Sequence, residues 1–167
     1  MPVRDPHARH GDGTAFALRL DITQEDQWIE ALEKANGLMG GISVLLNNAG
    51  VAGDKPLEAM EFDLWKRIMS INVDSVFLGA KHALTYMRAC QPGSIVNISS
   101  IAGLIANHNS PAYNASKAAV WMLSKNIALY CAKQGLDIRS NSIHPTFIDT
   151  PILDPLNQRL GKEEAQA

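Results

Sequence analysis

Residues 42–50 read ISVLLNNAG, a short apolar run that ends in a polar turn closed by a glycine. A largely apolar run of this length is typical of a strand buried on both faces of a parallel sheet. Two further stretches combine a strand with a polar turn, because residues 93–100 read GSIVNISS and residues 137–146 read DIRSNSIHPT. Together they predict three strands of one sheet.

Helical patterns separate these strands. Apolar residues recur at helical spacing over 58–90, and further helices are predicted over 24–38 and 111–134. Ahead of the first helix, residues 14–20 form another predicted strand. Strands that alternate with helices predict an α/β fold whose parallel sheet is covered by helices on both faces.

The ends of two helices carry local signals. Thr23 and Asp26 have the spacing of a capping box, and Gly40 is expected to end the helix that follows them. Ser110 and Pro111 are typical of an N-cap followed by the first helical position. These signals predict where the first and the last helix begin.

Composition limits the classes of protein to which this chain can belong. The 167 residues are enough for one domain, and the 46% hydrophobic content supports a buried core. A net charge of −2 without a basic stripe argues against nucleic acid as a partner. No apolar run approaches the ~20 residues of a membrane span, and the N-terminus lacks the apolar segment of a secretory signal. We therefore expect a cytoplasmic protein with two free thiols and no metal site, with tails at 1–13 and 157–167 flanking one domain over 14–156.

A polar turn follows each predicted strand. The turns begin at Asp21, span 47–50, contain Ser99 and Ser100, and begin again at His144. Because ligands bind at the carboxyl ends of the strands in such sheets, these turns predict a single composite site.

Tyr113 and Lys117 are the strongest chemical signal in the chain. They lie one turn apart on one face of a predicted helix, with Ser100 thirteen residues before the tyrosine. A phenol with a pKa near ~10 needs a shift of about three units, or roughly 4 kcal/mol, to work as a base near neutrality. A nearby cation supplies part of that shift. The alternative is an aromatic residue and a lysine at turn spacing on a surface helix.

Six motifs occur in order between residues 20 and 151. They are Leu-Asp-Ile-Thr at 20–23, Asn-Asn-Ala-Gly at 47–50, Ile-Asn-Val at 71–73, Gly-Ser-Ile-Val-Asn-Ile-Ser-Ser at 93–100, Tyr-Asn-Ala-Ser-Lys at 113–117 and Asn-Ser-Ile-His-Pro at 141–145, continuing to Thr150-Pro151. In this order and spacing they resemble the short-chain dehydrogenase/reductase family over about residues 14–156. The resemblance implies a Rossmann-like, doubly wound parallel sheet and NAD(P)-dependent interconversion of a secondary alcohol and a ketone.

The resemblance also implies a catalytic set. Tyr113 matches the acid/base, Lys117 would lower the phenol pKa and contact the nicotinamide ribose, and Ser100 would polarise the substrate oxygen. Asn72 would anchor a water through a local irregularity of its helix. Simpler roles stay open at this point: Ser100 could cap a strand end, Asn72 could satisfy backbone groups, and Asp21 could be a turn residue.

A cofactor set follows from the same resemblance. NAD or NADP would be the cofactor, with NAD as the default, because the residue that distinguishes them cannot be read. Tyr113 and Lys117 belong to this set as well as to the catalytic one. The other positions matching cofactor contacts are Asp21, Ile22, Asn48, Ala49, Gly50, Pro145, Ile148 and Thr150.

The chain departs from the family pattern in its glycines. No Gly-x-x-x-Gly-x-Gly turn occurs, and Thr146 stands where the family usually has glycine. We expect a partial sheet without the family's first two strands and last strand. The strands at 14–20 and 42–46 then pair directly through a right-handed crossover, or they leave an apolar edge open. We also expect weak dinucleotide binding or none.

Two functions remain possible at this stage. The first is an oxidoreductase acting on a small alcohol or ketone; residues 123–152 resemble those of enzymes for hydroxysteroids or alicyclic alcohols. The second is a catalytically inactive interaction module. In either case the helices at 58–90 and 111–134 are expected to form a homodimer or tetramer, as the resemblance implies.

Overall fold

The computed structural model describes residues 9–10 and 15–146. The strands are β1 (Arg9–His10), β2 (Ala15–Phe16), β3 (Val44–Asn47), β4 (Gly93–Ile98) and β5 (Ile138–Ile143). The α-helices are α1 (Glu25–Met39), α2 (Phe62–Met69), α3 (Ser75–Met87) and α4 (Pro111–Lys133). A π-helical turn (Ser70–Asp74) joins α2 to α3, and 3₁₀ turns span Leu57–Ala59 and Ile101–Gly103.

Strands β3, β4 and β5 form a parallel sheet in that order. The register pairs Asn47 with Asn97 and Ile98 with Ile143, so the three carboxyl ends lie along one edge. This arrangement confirms the predicted α/β fold with a parallel sheet, and it places the three polar turns beside each other.

One face of this sheet is covered and the other is not. Ile95 and Ile138 belong to the core cluster, which also includes Trp28 and Leu32 of α1, Met87 of α3 and Ile127 of α4. On the opposite face of β3, the side chains of Val44 and Leu46 are 63% and 57% exposed. The prediction of a sheet covered on both faces is therefore wrong for the described residues, because every described helix that contacts the sheet packs on the covered face.

The predicted strand at 14–20 is much shorter in the structure. Only β2 forms, and it pairs antiparallel with β1 rather than joining β3. The backbone beyond it is held by side chains: Asp21 N–H donates to Gln27 Oε1 (2.8 Å), and the Ile22 carbonyl accepts from Trp28 Nε1 (2.9 Å). Direct pairing of 14–20 with 42–46 is thus not observed, and the outer edge of β3 has no strand partner in the described part of the chain.

The helix signals were partly right. The capping box is wrong, because α1 begins after Gln24 and the Thr23 hydroxyl donates to Asp21 Oδ1 (2.7 Å) instead. Gly40 ends α1 as predicted, with φ of 75°. The predicted long helix is divided by the π-helical turn. Helix α4 begins at Pro111 as predicted, although the Ser110 hydroxyl makes no capping bond.

None of the helices in the described part is long and apolar enough to cross a bilayer. Of the predicted N-terminal tail, only β1 is described, and the predicted C-terminal tail lies outside the described residues.

Candidate active site

Ser100 and Tyr113 meet at the carboxyl edge of the sheet. Ser100 follows β4, and its side chain accepts a hydrogen bond from Ala102 N–H (3.1 Å) at the start of the 3₁₀ turn. Tyr113 lies in the first turn of α4. A hydrogen bond with the Ser100 side chain lowers the pKa of the Tyr113 phenol, but burial raises it by more, so the net shift is upward. A phenol and a hydroxyl joined in this way can both reach one substrate oxygen.

Lys117 lies under the tyrosine ring. Its Nζ is 5.6 Å from the ring centroid of Tyr113 and donates to the carbonyl of Ile98 (2.9 Å). The side chain is buried, and burial lowers the pKa of Lys117 from 10.5 to about 8. Burial is the largest cause of the pKa shift of both groups, and the predicted lowering of the phenol pKa by Lys117 stays a prediction.

Asn72 joins the π-helical turn to its surroundings. Its Oδ1 accepts from Val51 N–H (2.8 Å), and its Nδ2 donates to the Val51 carbonyl (2.9 Å) and to Ser116 Oγ (3.0 Å). The predicted irregularity of the helix is confirmed as the turn at Ser70–Asp74. Both amide hydrogens of Asn72 are used by the protein, so this side chain positions the turn after β3 against α4.

Two glycines permit close approaches around Lys117. A Cβ on Gly50 would lie 3.3 Å from both Asn72 Oδ1 and Lys117 Nζ. A Cβ on Gly103 would lie 2.8 Å from the backbone C and O of Lys117. Sequence reasoning identified Gly50 but missed Gly103, for which the only signal was a small residue shortly after Ser100.

Three further polar residues hold the beginning of α4, and none of them belongs to the predicted catalytic or cofactor sets. Ser99 Oγ donates to the Lys117 carbonyl (2.8 Å), and Ser116 Oγ donates to the Tyr113 carbonyl (2.8 Å). Asn114 Nδ2 donates to the carbonyls of the segment after Ser100, including that of Ile105 (3.1 Å). These contacts fix the helix turn that carries the phenol and the amine.

A second polar group lies below the site. Asn47 Nδ2 donates to Asn97 Oδ1 (2.8 Å), and Asn97 Nδ2 donates to Ser124 Oγ (2.9 Å). All three residues are buried, so they link β3, β4 and α4 within the core. Asn47 therefore has a structural role.

Two of the remaining predicted cofactor residues line a cleft beside the π-helical turn. Asp21 and Ile22 line a cleft of about 710 Å³ whose other wall includes Ser70 and Ile71, immediately before Asn72. Hydrogen bonds from the Thr23 side chain and backbone hold the pKa of the Asp21 carboxyl below its usual value.

The other described members of the predicted set follow the ends of strands. Asn48 and Ala49 follow β3 and are exposed, while the Pro145 carbonyl accepts from Ile101 N–H (2.9 Å). Ile148 and Thr150 lie outside the described residues. No group of three potential metal-ligating side chains is found within residues 15–146.

Comparison with known proteins identifies the family. Residues 4–161 match the family described as short chain dehydrogenase. The chain is 37% identical over 145 residues to the NADP-dependent (R)-specific alcohol dehydrogenase of Lentilactobacillus kefiri, and the match covers 86% of this chain and 56% of that protein. It is 41% identical over 137 residues to the 3-alpha-(or 20-beta)-hydroxysteroid dehydrogenase of Mycobacterium tuberculosis, which covers 82% of this chain and 52% of that protein.

A solved structure agrees with this assignment. The ligand-free aldohexose dehydrogenase of Thermoplasma acidophilum superposes with a TM-score of 0.83 and 34% identity, covering 93% of this chain and 61% of that chain. The chain spans about half the length of the curated relatives it matches. From the family match and the shared fold, the chain belongs to the short-chain dehydrogenase family.

Proposed function

We propose that this protein is an NAD(P)-dependent oxidoreductase that interconverts a secondary alcohol and a ketone. The observation that carries the proposal is the proximity of three groups: the Ser100 side chain lies close enough to the Tyr113 phenol to affect its pKa, and the Lys117 amine lies 5.6 Å from the tyrosine ring centroid. The names of the relatives, an alcohol dehydrogenase and a hydroxysteroid dehydrogenase, support this reaction class and a hydroxysteroid or other alicyclic alcohol as substrate.

The protonation states set the roles of the two titrating groups. Because the pKa of Tyr113 is raised, the phenol is protonated at neutral pH and can donate its proton to the oxygen of a ketone during reduction. In the direction of alcohol oxidation the phenolate must form. The Lys117 amine, with a pKa of about 8, is mostly charged at pH 7 and stabilises that phenolate.

Ser100 orients the substrate. Its Oγ already accepts from Ala102 N–H, and this bond fixes the oxygen while leaving the hydroxyl hydrogen to donate. Donation to the carbonyl oxygen of the substrate stabilises the negative charge that develops there. The Ser100 hydroxyl and the Tyr113 phenol both contact this oxygen. Ser100 polarises it, and Tyr113 transfers the proton.

Described residues could contact a dinucleotide both at its adenosine end and at its nicotinamide end. The cleft beside Asp21 and Ile22 has room for an adenosine moiety, and Gly50 keeps the turn after β3 close to Lys117. Among the described residues, Lys117 Nζ makes one hydrogen bond, to the Ile98 carbonyl, and its remaining hydrogens can donate to a ribose. NAD or NADP, when bound, supplies the hydride acceptor or donor. Asn48, Ala49, Pro145, Ile148 and Thr150 complete the proposed cofactor contacts.

Replacing Tyr113 tests the mechanism. We expect Tyr113→Phe to reduce turnover of a cyclic secondary alcohol by about 10²–10⁴-fold, because the positioned proton donor is lost. Tyr130→Phe is the matched control, since that hydroxyl contacts Arg88 (3.2 Å) away from Ser100. Turnover of Tyr113→Phe equal to that of Tyr130→Phe would rule out the assigned role.

Dinucleotide affinity is tested separately. The sequence contains no glycine-rich turn for the pyrophosphate, so we expect the 167-residue chain to bind NADH and NADPH weakly. Fluorescence titration with each dinucleotide measures this directly and also compares the two. Micromolar binding of either one contradicts the expectation.

The second candidate function is an interaction module without catalysis. Large apolar side chains are exposed on the helices that the sequence assigned to an oligomer interface, with Phe62 of α2 at 70% and Leu129 of α4 at 71%. Light scattering after size exclusion tests this function. A dimer or tetramer that Leu129→Lys dissociates, in a chain without dinucleotide affinity, favours the module over the enzyme.

A further inference from the structure

We infer that His144 is a positioning residue that holds the main chain of Ser100 in place for the reaction. The inference rests on the proposed function for its catalytic consequence, but the contact itself stands on geometry alone. His144 Nδ1 lies 3.1 Å from the Ser100 carbonyl oxygen, and His144 Nε2 lies 2.9 Å from Ser142 Oγ.

The two partners determine where the imidazole carries its hydrogen. A carbonyl oxygen can only accept, so Nδ1 of His144 must donate to Ser100. A neutral imidazole then has an acceptor at Nε2, which receives the hydroxyl hydrogen of Ser142. The ring is therefore held in the Nδ1–H tautomer by contacts at both of its nitrogens.

His144 adds a side-chain hydrogen bond where few backbone hydrogen bonds join the segments that follow β4 and β5. Ser99 N–H donates to the Ile143 carbonyl (2.8 Å), and Ile101 N–H donates to the Pro145 carbonyl (2.9 Å). Between these two backbone bonds, the Ser100 carbonyl accepts from Gly103 N–H (3.0 Å) within its own turn. The His144 side chain adds the bond that ties this carbonyl to the segment after β5.

Helix α4 locks the orientation of the ring. Trp121 packs against His144 edge to face, with ring centroids 5.8 Å apart and planes at 90°. The Lys125 ammonium lies over the indole of Trp121, 3.7 Å from the ring centroid. Since Trp121 lies one turn after Lys117, the same helix that presents the phenol and the amine also fixes His144.

The position of Ser100 must be accurate for the proposed chemistry. Its Oγ has to reach the substrate oxygen and the phenol together, and displacements of about 1 Å can cost up to ~100-fold in rate. Without the imidazole, the bond from Gly103 N–H is the one that remains to the Ser100 carbonyl among the described residues. We expect a loss in kcat of about 10-fold, with little change in KM because Ser100 still exists to bind.

Three substitutions at one position separate positioning from packing. Asn can place an amide N–H where Nδ1 lies, Gln reaches further, and Leu fills the space without a donor. We expect His144→Asn to retain most of the wild-type kcat, while His144→Gln and His144→Leu lose about 10-fold. Ser142→Ala is the matched control, because it removes only the contact to Nε2 and leaves the Nδ1–H donor. Wild-type kcat in His144→Leu, or equal losses in the Asn and Leu variants, would overturn the inference.

A readout independent of turnover keeps the two proposals distinguishable. Nitrogen-15 NMR of the imidazole in the 167-residue chain should show hydrogen on Nδ1 of His144, and the Ser100 carbonyl carbon should shift in His144→Leu but not in Ser142→Ala. An Nε2–H tautomer, or an unchanged Ser100 carbonyl, refutes the positioning role. Absence of turnover in the wild type with the expected spectra refutes only the proposed reaction.

Discussion

Gly103→Ala adds one methyl group where the backbone of α4 leaves no room. The new Cβ would lie 2.8 Å from the C and O of Lys117 and 3.0 Å from the N of Ala118. Carbon atoms pack best at about 3.5–4.0 Å, so the contact is too short by about 0.7 Å or more. Neither partner is a side chain that can rotate away. Either the turn after Ser100 or the helix must therefore move.

This displacement sets the expected cost. Gly103 is not among the glycines with positive φ in the described chain, so crowding rather than backbone strain is the cause. Overpacking of this kind costs about 1–3 kcal/mol of unfolding free energy. Gly37→Ala is the matched control, because no atom lies within 4 Å of its added Cβ in α1. There the same change should stabilise by about 0.5–1 kcal/mol through helix propensity.

Urea unfolding followed by tryptophan fluorescence measures both variants, and an unchanged slope shows that the comparison of midpoints is valid. We expect shifts of opposite sign, with Gly103→Ala less stable and Gly37→Ala more stable than the wild type. If Gly103→Ala matched the wild type within about 0.5 kcal/mol, the close packing of the Ser100 turn on α4 would be refuted.

Three further predictions concern stability. Leu45→Ala should lower the unfolding free energy by about 2–5 kcal/mol and Leu46→Ala by less than about 1 kcal/mol, because these neighbours are 9% and 57% exposed. Equal losses in urea unfolding would contradict a sheet that is covered on one face. The unfolded state holds the Lys117 proton more tightly than the folded state, because burial lowers the pKa of Lys117 to about 8. The unfolding free energy should therefore rise by up to about 3 kcal/mol as the pH goes from about 8 towards 10. A Lys117→Met variant should not show this rise, and the same pH dependence in wild type and variant would refute the prediction. Hydrogen bonds from Lys81 and His82 lower the pKa of Glu25, so the advantage of wild type over Glu25→Gln should be full above pH 4.5 and fade as pH falls below it; an advantage that persists in acid would show that the carboxylate charge is not its source.

Several features of the fold were readable from short stretches of sequence. The beginning of α4 at Pro111 and the end of α1 at Gly40 depend on backbone geometry that proline and glycine impose locally. The capping box at Thr23 failed for a local reason as well, since Asp21 competes for the same hydroxyl and backbone N–H.

The coverage of the sheet could not be read in this way. An apolar run such as 42–46 shows that both faces of a strand suit burial, but burial itself depends on which distant elements pack there. In the described chain, Leu45 is buried in a core cluster with residues of α1 and α3, whereas Val44 and Leu46 remain largely exposed. The period of a strand is a property of the strand, whereas its solvent exposure belongs to the whole assembly of elements.

In the candidate site, too, some features follow from the sequence and others only from the tertiary structure. Sequence alone determined the kinds of chemical group present, their order, and the edge of the sheet at which Ser100, Tyr113 and Lys117 should gather, because helix and strand periods are local. Tertiary structure alone decided the upward shift of the phenol pKa, the need for glycine at 103, and the contact of His144 with Ser100. Desolvation, close packing and hydrogen bonds between residues 44 positions apart arise only when separate elements meet in space.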